Sequence, residues 1–235
     1  MNLILLFDRD FEDDTHVVLT GRRLDHITTV HRAQVDDTLR VGKLSGKMGE
    51  GRVTAIDAGS CRMEVALDKD PPAPLPLTLL IALPRPKALR RIVETAAAMG
   101  IKRVYIMESW RVEKSFWNSP FLSEEKLAGR CMLGLEQACD TAMPVLHFRR
   151  RFRPFVEDEV PGLIKGSRAF VAHPVAVAPC PRAVGGPVTL AVGPEGGFIP
   201  FEVELLEKHG FEAVNFGPRI LRTEAFVPAA VGRLF

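Results

Sequence analysis

Nowhere in this 235-residue chain does an apolar run reach the roughly 20 residues needed to cross a bilayer. The start, Asn2-Leu3-Ile4-Leu5-Leu6-Phe7, is apolar but stops at Asp8-Arg9-Asp10, and no basic segment precedes it. It is too short for the apolar part of a secretion signal and reads as the first β-strand of a cytoplasmic protein. Cysteine is scarce. Cys61, Cys131, Cys139 and Cys180 form no Cys-x-x-Cys pair, and no histidine stands at zinc-ligand spacing from two of them. That argues against a zinc ribbon or a disulfide framework and leaves buried or incidental thiols; no metal is expected. A phosphate-binding loop is lacking too, because Gly42-Lys43-Leu44-Ser45-Gly46-Lys47-Met48 is one spacer residue short and has Met48 where Ser or Thr is needed. No internal repeat is visible.

What is there suits a globular protein. Apolar residues make up 46% and charged residues 26%, enough to bury a core without staples. The net charge of +2 hides an asymmetry: 21 of the 31 Lys and Arg residues, but only 16 of the 29 Asp and Glu residues, lie beyond position 75. Residues 71–76, Pro71-Pro72-Ala73-Pro74-Leu75-Pro76, read as an extended linker. Before it, strand-like runs at Leu3–Phe7, His16–Thr20, Thr38–Val41, Gly51–Ile56 and Arg62–Leu67, with one helix from Arg22 to about His31, predict a small β-barrel-like domain over residues 1–70. After it, buried-strand patterns alternate with helical ones. Leu77–Leu83, Arg103–Met107, Val145–Phe148, Ala169–Ala172 and Val188–Val192 read as strands, and Leu89–Ala97 and Glu124–Ala138 as helices, the first stopped by Gly100. This rhythm predicts an α/β domain with a parallel sheet over residues 77–235.

Two segments stand out. Thr189-Leu190-Ala191-Val192 runs into Gly193-Pro194-Glu195-Gly196-Gly197-Phe198, then into a helix start at Pro200, with Glu202 and Glu204 suited to the positive helix end. Loops that leave strand C-termini in open α/β sheets bind ligands, and glycines let a ligand approach the backbone; a tight strand-to-helix turn reads equally well. It is no dinucleotide fingerprint. The second segment follows a strand at Ala213–Phe216: Gly217-Pro218-Arg219-Ile220-Leu221-Arg222-Thr223-Glu224 crowds two arginines, a threonine and a carboxylate at a helix start. On spacing alone it reads either as a site or as a helix capped by Thr223.

The pair "GPEGGF" and "GPRILRTE" resembles the C-terminal signature of the SPOUT methyltransferases and, within them, of the RsmE family of 16S ribosomal RNA uridine N3-methyltransferases. His26-Ile27-Thr28-Thr29-Val30-His31-Arg32, Ala82-Leu83-Pro84, Gly100-Ile101, Glu108-Ser109, Arg111 and Glu136-Gln137 fall at matching places, so the resemblance spans essentially the whole chain. It departs at Leu5 and Asp140, where the family commonly has Arg, at His31, and at Ala97-Ala98-Met99.

The resemblance implies a PUA-like β-barrel that contacts RNA, then a parallel α/β domain closed by a C-terminal trefoil knot. It implies a homodimer, S-adenosylmethionine as cofactor, and 16S ribosomal RNA or the small ribosomal subunit as partner. The cofactor residues it implies are His173, Val192, Gly193, Pro194, Glu195, Gly196, Gly197, Phe198, Phe216, Gly217, Arg219, Ile220, Leu221, Arg222 and Thr223. RNA contacts fall on Arg22, Arg23, His26, Arg32 and Arg111. In catalysis Arg222 would stabilise charge on the uracil, with Glu224 or Glu195 accepting a proton. Arg149, Arg150, Arg151 and Arg153, interleaved with Phe148 and Phe152, read either as a phosphate-binding patch or as a solvated loop. Two other readings stay open: a different RNA nucleotide as target, and a non-catalytic RNA-binding assembly factor.

Overall fold

The computed structural model describes residues 2–235, which fall into two compact units. One comprises the chain up to Ala73 together with Met132–Met143; the other comprises Pro74–Cys131 and Pro144–Phe235.

In the first unit, β1 (Ile4–Leu6), β2 (His16–Leu19), β3 (Thr38–Lys43), β4 (Met48–Ile56) and β5 (Cys61–Lys69) form one sheet in the order β1-β3-β4-β5-β2. Only the β1–β3 pair is parallel. Side chains alternate as a half-buried sheet requires: along β5, Cys61, Met63 and Val65 point inward while Arg62 and Glu64 stay exposed. The inward residues enclose a core with Leu19, Leu24, Ile27, Val41 and Val53. β1 and β2 stand at the two ends of this order and do not pair with each other, so the expected barrel is a curled half-barrel. The helix expected over Arg22–His31 is also modified. It is α-helical as α1 (Arg22–His26) and continues as a wider π-turn over Ile27–His31. The Thr28 and Thr29 hydroxyls donate to the carbonyls of Leu24 (3.0 Å) and Asp25 (2.5 Å), the back-bonding that loosens a regular helix.

Residues 132–143 join this unit through long-range bonds that no local pattern reveals. The Leu3 amide donates to the Glu136 carbonyl at 2.9 Å, and the Ser45 amide to the Thr141 carbonyl at 2.8 Å. Asp140, buried, accepts the Ala142 amide at 2.8 Å and shapes the turn there.

The second unit runs β6 (Leu75–Ala82), α2 (Pro86–Ala98), β7 (Ile101–Met107), the first half of α3 (Glu124–Ala138, which from Met132 onward belongs to the first unit), β8 (Val145–Arg149), the short α4 (Phe152–Pro154) and α5 (Val160–Leu163), β9 (Arg168–Ala172), β10 (Val188–Val192), α6 (Pro200–Lys208), β11 (Glu212–Val214) and α7 (Thr223–Leu234). The strands form a six-stranded parallel sheet in the order β11-β9-β10-β6-β7-β8. β10, in its interior, is buried along its whole length, which is why it reads as an unbroken apolar run. α2 buries Leu89, Ile92, Val93, Ala96 and Ala97, as their spacing predicts. The linker ends earlier than expected. Pro76 lies inside β6, where the register against β7 slips between Leu75 and Thr78, the irregular point at which a residue without an N–H is tolerated.

One connection shapes the site. The segment between β9 and β10 carries neither helix nor strand, although the two strands are neighbours. It is laced instead to the last part of the chain. Asn215 Nδ2 donates to the Ala176 carbonyl at 2.8 Å, and the Cys180 amide donates to the Asn215 carbonyl at 2.7 Å. The Val184 amide donates to the Leu234 carbonyl at 2.6 Å, and Arg233 donates to the Cys180 carbonyl at 2.7 and 2.9 Å.

Candidate active site

β9, β10 and β11 lie side by side, so the loops leaving their C-terminal ends converge. They enclose a cavity of about 290 Å³, close to the lower end of the roughly 300–1,000 Å³ typical of small-molecule sites. The β9 loop contributes Ala172, His173 and Pro174. The β10 loop contributes Val192–Glu195 and Gly197, and the chain after β11 contributes Phe216, Gly217, Arg219–Thr223 and Phe226.

Local constraints explain the glycines. At Gly193 a Cβ would stand 2.9 Å from the Phe198 amide nitrogen, so the loop could not fold back on itself with any larger residue. Gly197 adopts φ +71°, and its amide donates to the Pro194 carbonyl at 2.7 Å to close the turn. Phe198 is buried against Phe152 and anchors the loop from behind. On the opposite wall, Phe216 meets Phe226 edge to face, with ring centroids 4.7 Å apart.

Most of the residues expected to hold a cofactor meet here. His173, Val192, Gly193, Pro194, Glu195, Gly197, Phe216, Gly217, Arg219, Ile220, Leu221, Arg222 and Thr223 all line the cavity. Gly196 and Phe198 belong to the same loop without lining it. Ala172 and Pro174, on either side of His173, and Phe226 line it as well; Phe226 follows Thr223 by three residues on α7, one helical turn along. The cap differs from the expected one as well. Arg222 is the N-cap residue of α7, its carbonyl accepting the Ala225 and Phe226 amides at 2.9 and 2.8 Å, while Thr223 is buried as the first helical residue.

The three expected catalytic residues part company. Arg222 is exposed at the cavity, and its guanidinium has no hydrogen bond or ion pair to any described residue. Glu195 lines the cavity, but its Oε1 accepts the Arg85 amide at 2.9 Å at the start of α2. Glu224 does not line the cavity and faces Arg91 at 3.8 Å.

The expected RNA contacts are also sorted by the structure. Arg23 requires correction: it is only 9% exposed, its guanidinium pairs with the buried Asp10 and donates to the Leu5 carbonyl at 3.0 Å, and no charge is left for a phosphate. Arg22 is exposed but held by Glu136 at 2.7 and 3.1 Å. Arg32 is exposed in a left-handed conformation just past the π-turn, and His26 packs edge to face on His31. Arg111, in the second unit, donates to the Gly196 carbonyl. The arginine cluster is partly neutralised: Arg149 pairs with Glu159 at 2.7 Å and Arg153 with Glu157 at 2.8 Å, while Arg150 lies over the Trp117 ring.

The orphaned polar atom suits a polar ligand. His173 Nδ1 is buried without a hydrogen-bond partner among the described residues, and His173 lines a cavity whose other walls combine aromatic rings and loop backbone with Glu195, Arg219, Arg222 and Thr223. A compact ligand with an aromatic part and hydrogen-bonding edges fits this lining.

Known proteins agree with this geometry. Residues 71–234 match the family model of the RNA methyltransferase domain, and the chain belongs to that family. Over 97% of its length it is similar to ribosomal RNA small subunit methyltransferase E of Treponema pallidum, at 28% identity and covering 88% of that protein. The protein of the same name from Mycobacterium bovis is 27% identical over 97% of this chain and 90% of its own. The fold is that of the Neisseria gonorrhoeae ribosomal RNA small subunit methyltransferase E, solved bound to S-adenosyl methionine: TM-score 0.74, 19% identity, 98% of this chain and 95% of that one. The family resemblance carried by the two C-terminal motifs is thereby borne out, as is the α/β class, with a curled half-barrel where a barrel was expected.

Proposed function

We propose that this protein transfers a methyl group from S-adenosylmethionine to N3 of a uridine in 16S ribosomal RNA of the small subunit. One observation carries the reading: the loops after β9, β10 and β11 join "GPEGGF" and "GPRILRTE" around a single cavity, with the unpaired Arg222 cation beside it. Near-full-length similarity to small-subunit RNA methyltransferases supports the substrate class, and the bound ligand of the Neisseria relative supports the cofactor.

His173, the Val192–Gly197 loop and Phe216–Thr223 would hold the cofactor. Phe216 and Phe226 offer aromatic faces, and the His173 ring offers a buried nitrogen to a polar edge. When bound, S-adenosylmethionine supplies an electrophilic methyl group. Uridine N3 carries a proton at neutral pH, so the chain must favour its loss and align the base. Arg222, exposed and unpaired, is placed to stabilise negative charge developing on the uracil oxygens. Glu195 has one oxygen engaged by the Arg85 amide and the other without a partner among the described residues, so it is better placed than Glu224 to take a proton.

The partners follow from the same reading. Arg22, His26 and Arg32 on the half-barrel, and Trp110 (80% exposed) beside Arg111, offer cations and an aromatic face to RNA. The lacing of the β9–β10 segment to Asn215, Arg233 and Leu234 supports the trefoil crossing. Ile220, Leu221, Val175 and Val177, all exposed near the cavity loops, support pairing with a second copy; a monomeric mass by light scattering would contradict it. No helix among the described residues is long and apolar enough to cross a membrane, in keeping with work on ribosomes in the cytoplasm.

The test is to incubate the protein with labelled S-adenosylmethionine and unmodified small ribosomal subunits, digest the RNA and identify the methylated nucleoside by mass spectrometry. N3-methyluridine in 16S RNA is expected. Methylation at another atom or nucleoside would overturn the assigned target, and cofactor binding without transfer to any RNA would overturn the enzyme.

A further inference from the structure

Glu202 is a carboxylate only 2% exposed, and no cation pairs with it among the described residues. Burial of a charge on these terms is tolerated only when hydrogen bonds replace water. Three do. Oε2 accepts the Ile199 amide at 3.0 Å and the Ser109 hydroxyl at 3.1 Å; Oε1 accepts the Trp110 amide at 2.8 Å. The bond to Ile199 is ordinary capping of α6 by its third residue, and could be made at the surface. The other two have a different purpose, because Ser109 and Trp110 follow β7, two strands away from β10 in the sheet.

The next residue completes the pattern. Arg111 donates from its guanidinium to the Gly196 carbonyl, and its Cδ stands 3.0 Å from where a Cβ on Gly196 would be. The segment Ser109–Arg111 thus grips the β10 loop at two places, Gly196 and the Ile199–Glu202 turn. Gly193–Glu195 and Gly197, which line the cavity, lie before and between these grips.

We propose that Glu202 and Arg111 form a clamp that positions the cofactor loop, acting through that loop and not on the reacting atoms; this rests on the reading of the cavity as the S-adenosylmethionine site. It gives Arg111 a task separate from any RNA contact. It also accounts for a carboxylate at position 202: a carboxylate accepts from all three donors, whereas an amide would turn its own N–H groups toward one of them.

The test uses the full-length protein and titration calorimetry with S-adenosylhomocysteine, alongside thermal melts and steady-state kinetics. Arg111 is exposed, so Arg111→Ala leaves the melting temperature in place. It is expected to weaken binding about tenfold, the scale of one charge-assisted hydrogen bond, and to raise KM for the cofactor by a larger factor than it lowers kcat. Arg111→Lys restores most of the affinity, since it keeps a donor for Gly196. Glu202→Gln weakens binding to a similar extent, and the double variant binds little worse than the weaker single one, because the two contacts act as a unit. Unchanged affinity in Arg111→Ala, or strictly additive losses, would overturn the clamp. Failure of the unaltered protein to bind S-adenosylhomocysteine would instead overturn the cofactor assignment, and the clamp with it.

Discussion

Two arginines that look alike in the sequence have opposite circumstances in the fold. Arg23 is sealed beside Asp10, with 10% and 5% of their side chains exposed. Removing one partner of such a pair strands the other charge, which typically costs about 3–5 kcal/mol. Arg23→Ala should therefore lower the urea midpoint sharply, and any loss of RNA affinity should vanish under conditions that keep the variant folded. Arg222 is exposed and unpaired at the cavity. Its loss should leave stability within about 0.5 kcal/mol. Single-turnover rates in Arg222→Ala should fall on the order of 100-fold, the scale of one lost oxyanion donor, and by a larger factor than cofactor affinity. Equal losses of rate and affinity would show that Arg222 holds the cofactor and has no special part in the transition state.

At the scale of elements, the sequence is most legible where a pattern is local. Val188–Val192 and Glu124–Ala138 begin and end where apolar runs and helical spacing place them, because burial on both faces or on one stripe leaves a periodic trace. The two glycine-rich loops are legible for a related reason: tight turns admit few residues. What stays hidden depends on partners far away in the chain. Nothing near Arg23 announces Asp10, nothing near Thr28 announces a widened turn, and nothing near Glu202 separates a surface cap from a buried three-donor hub. Asn215 is another such residue. Its side chain donates to carbonyls at Ala176, Val177 and Ala178, at 2.8, 3.3 and 3.2 Å, tying the β9–β10 segment beside the cavity. In Asn215→Ala that segment should become accessible: limited proteolysis is expected to cut within residues 174–179, and cofactor affinity to fall several-fold. Proteolysis identical to that of the unaltered protein would show that the main-chain bonds suffice.

At the scale of the whole molecule, two histidines set an acid limit. Burial holds His31 below its ordinary value, helped by His26; burial does the same for His147, helped by Arg149. A histidine whose folded pKa is depressed favours the native state above its unfolded value near 6.5, and that contribution fades as pH falls through the folded pKa. The urea midpoint should therefore drop as pH is lowered from about 7 to 5, and less steeply in His147→Gln. A flat profile across that range would show that neither ring resists protonation.

The assignment of residues 132–143 to the first unit has a consequence for anyone who would treat the half-barrel as a portable module. A fragment ending at the proline-rich stretch would lack Glu136 and Thr141, leaving the Leu3 and Ser45 amides without acceptors and Arg22 without its carboxylate. It would also leave bare the space above Gly42 that Thr141 fills, its Cγ2 only 2.5 Å from where a Cβ would sit. Residues 1–76 expressed alone should melt without a cooperative transition, whereas the same fragment supplied with the 132–143 peptide should recover one. The two units are written into each other's stretch of chain, so exchanging either between relatives means transplanting two pieces of sequence at once, and recombination at the linker alone would split the first unit.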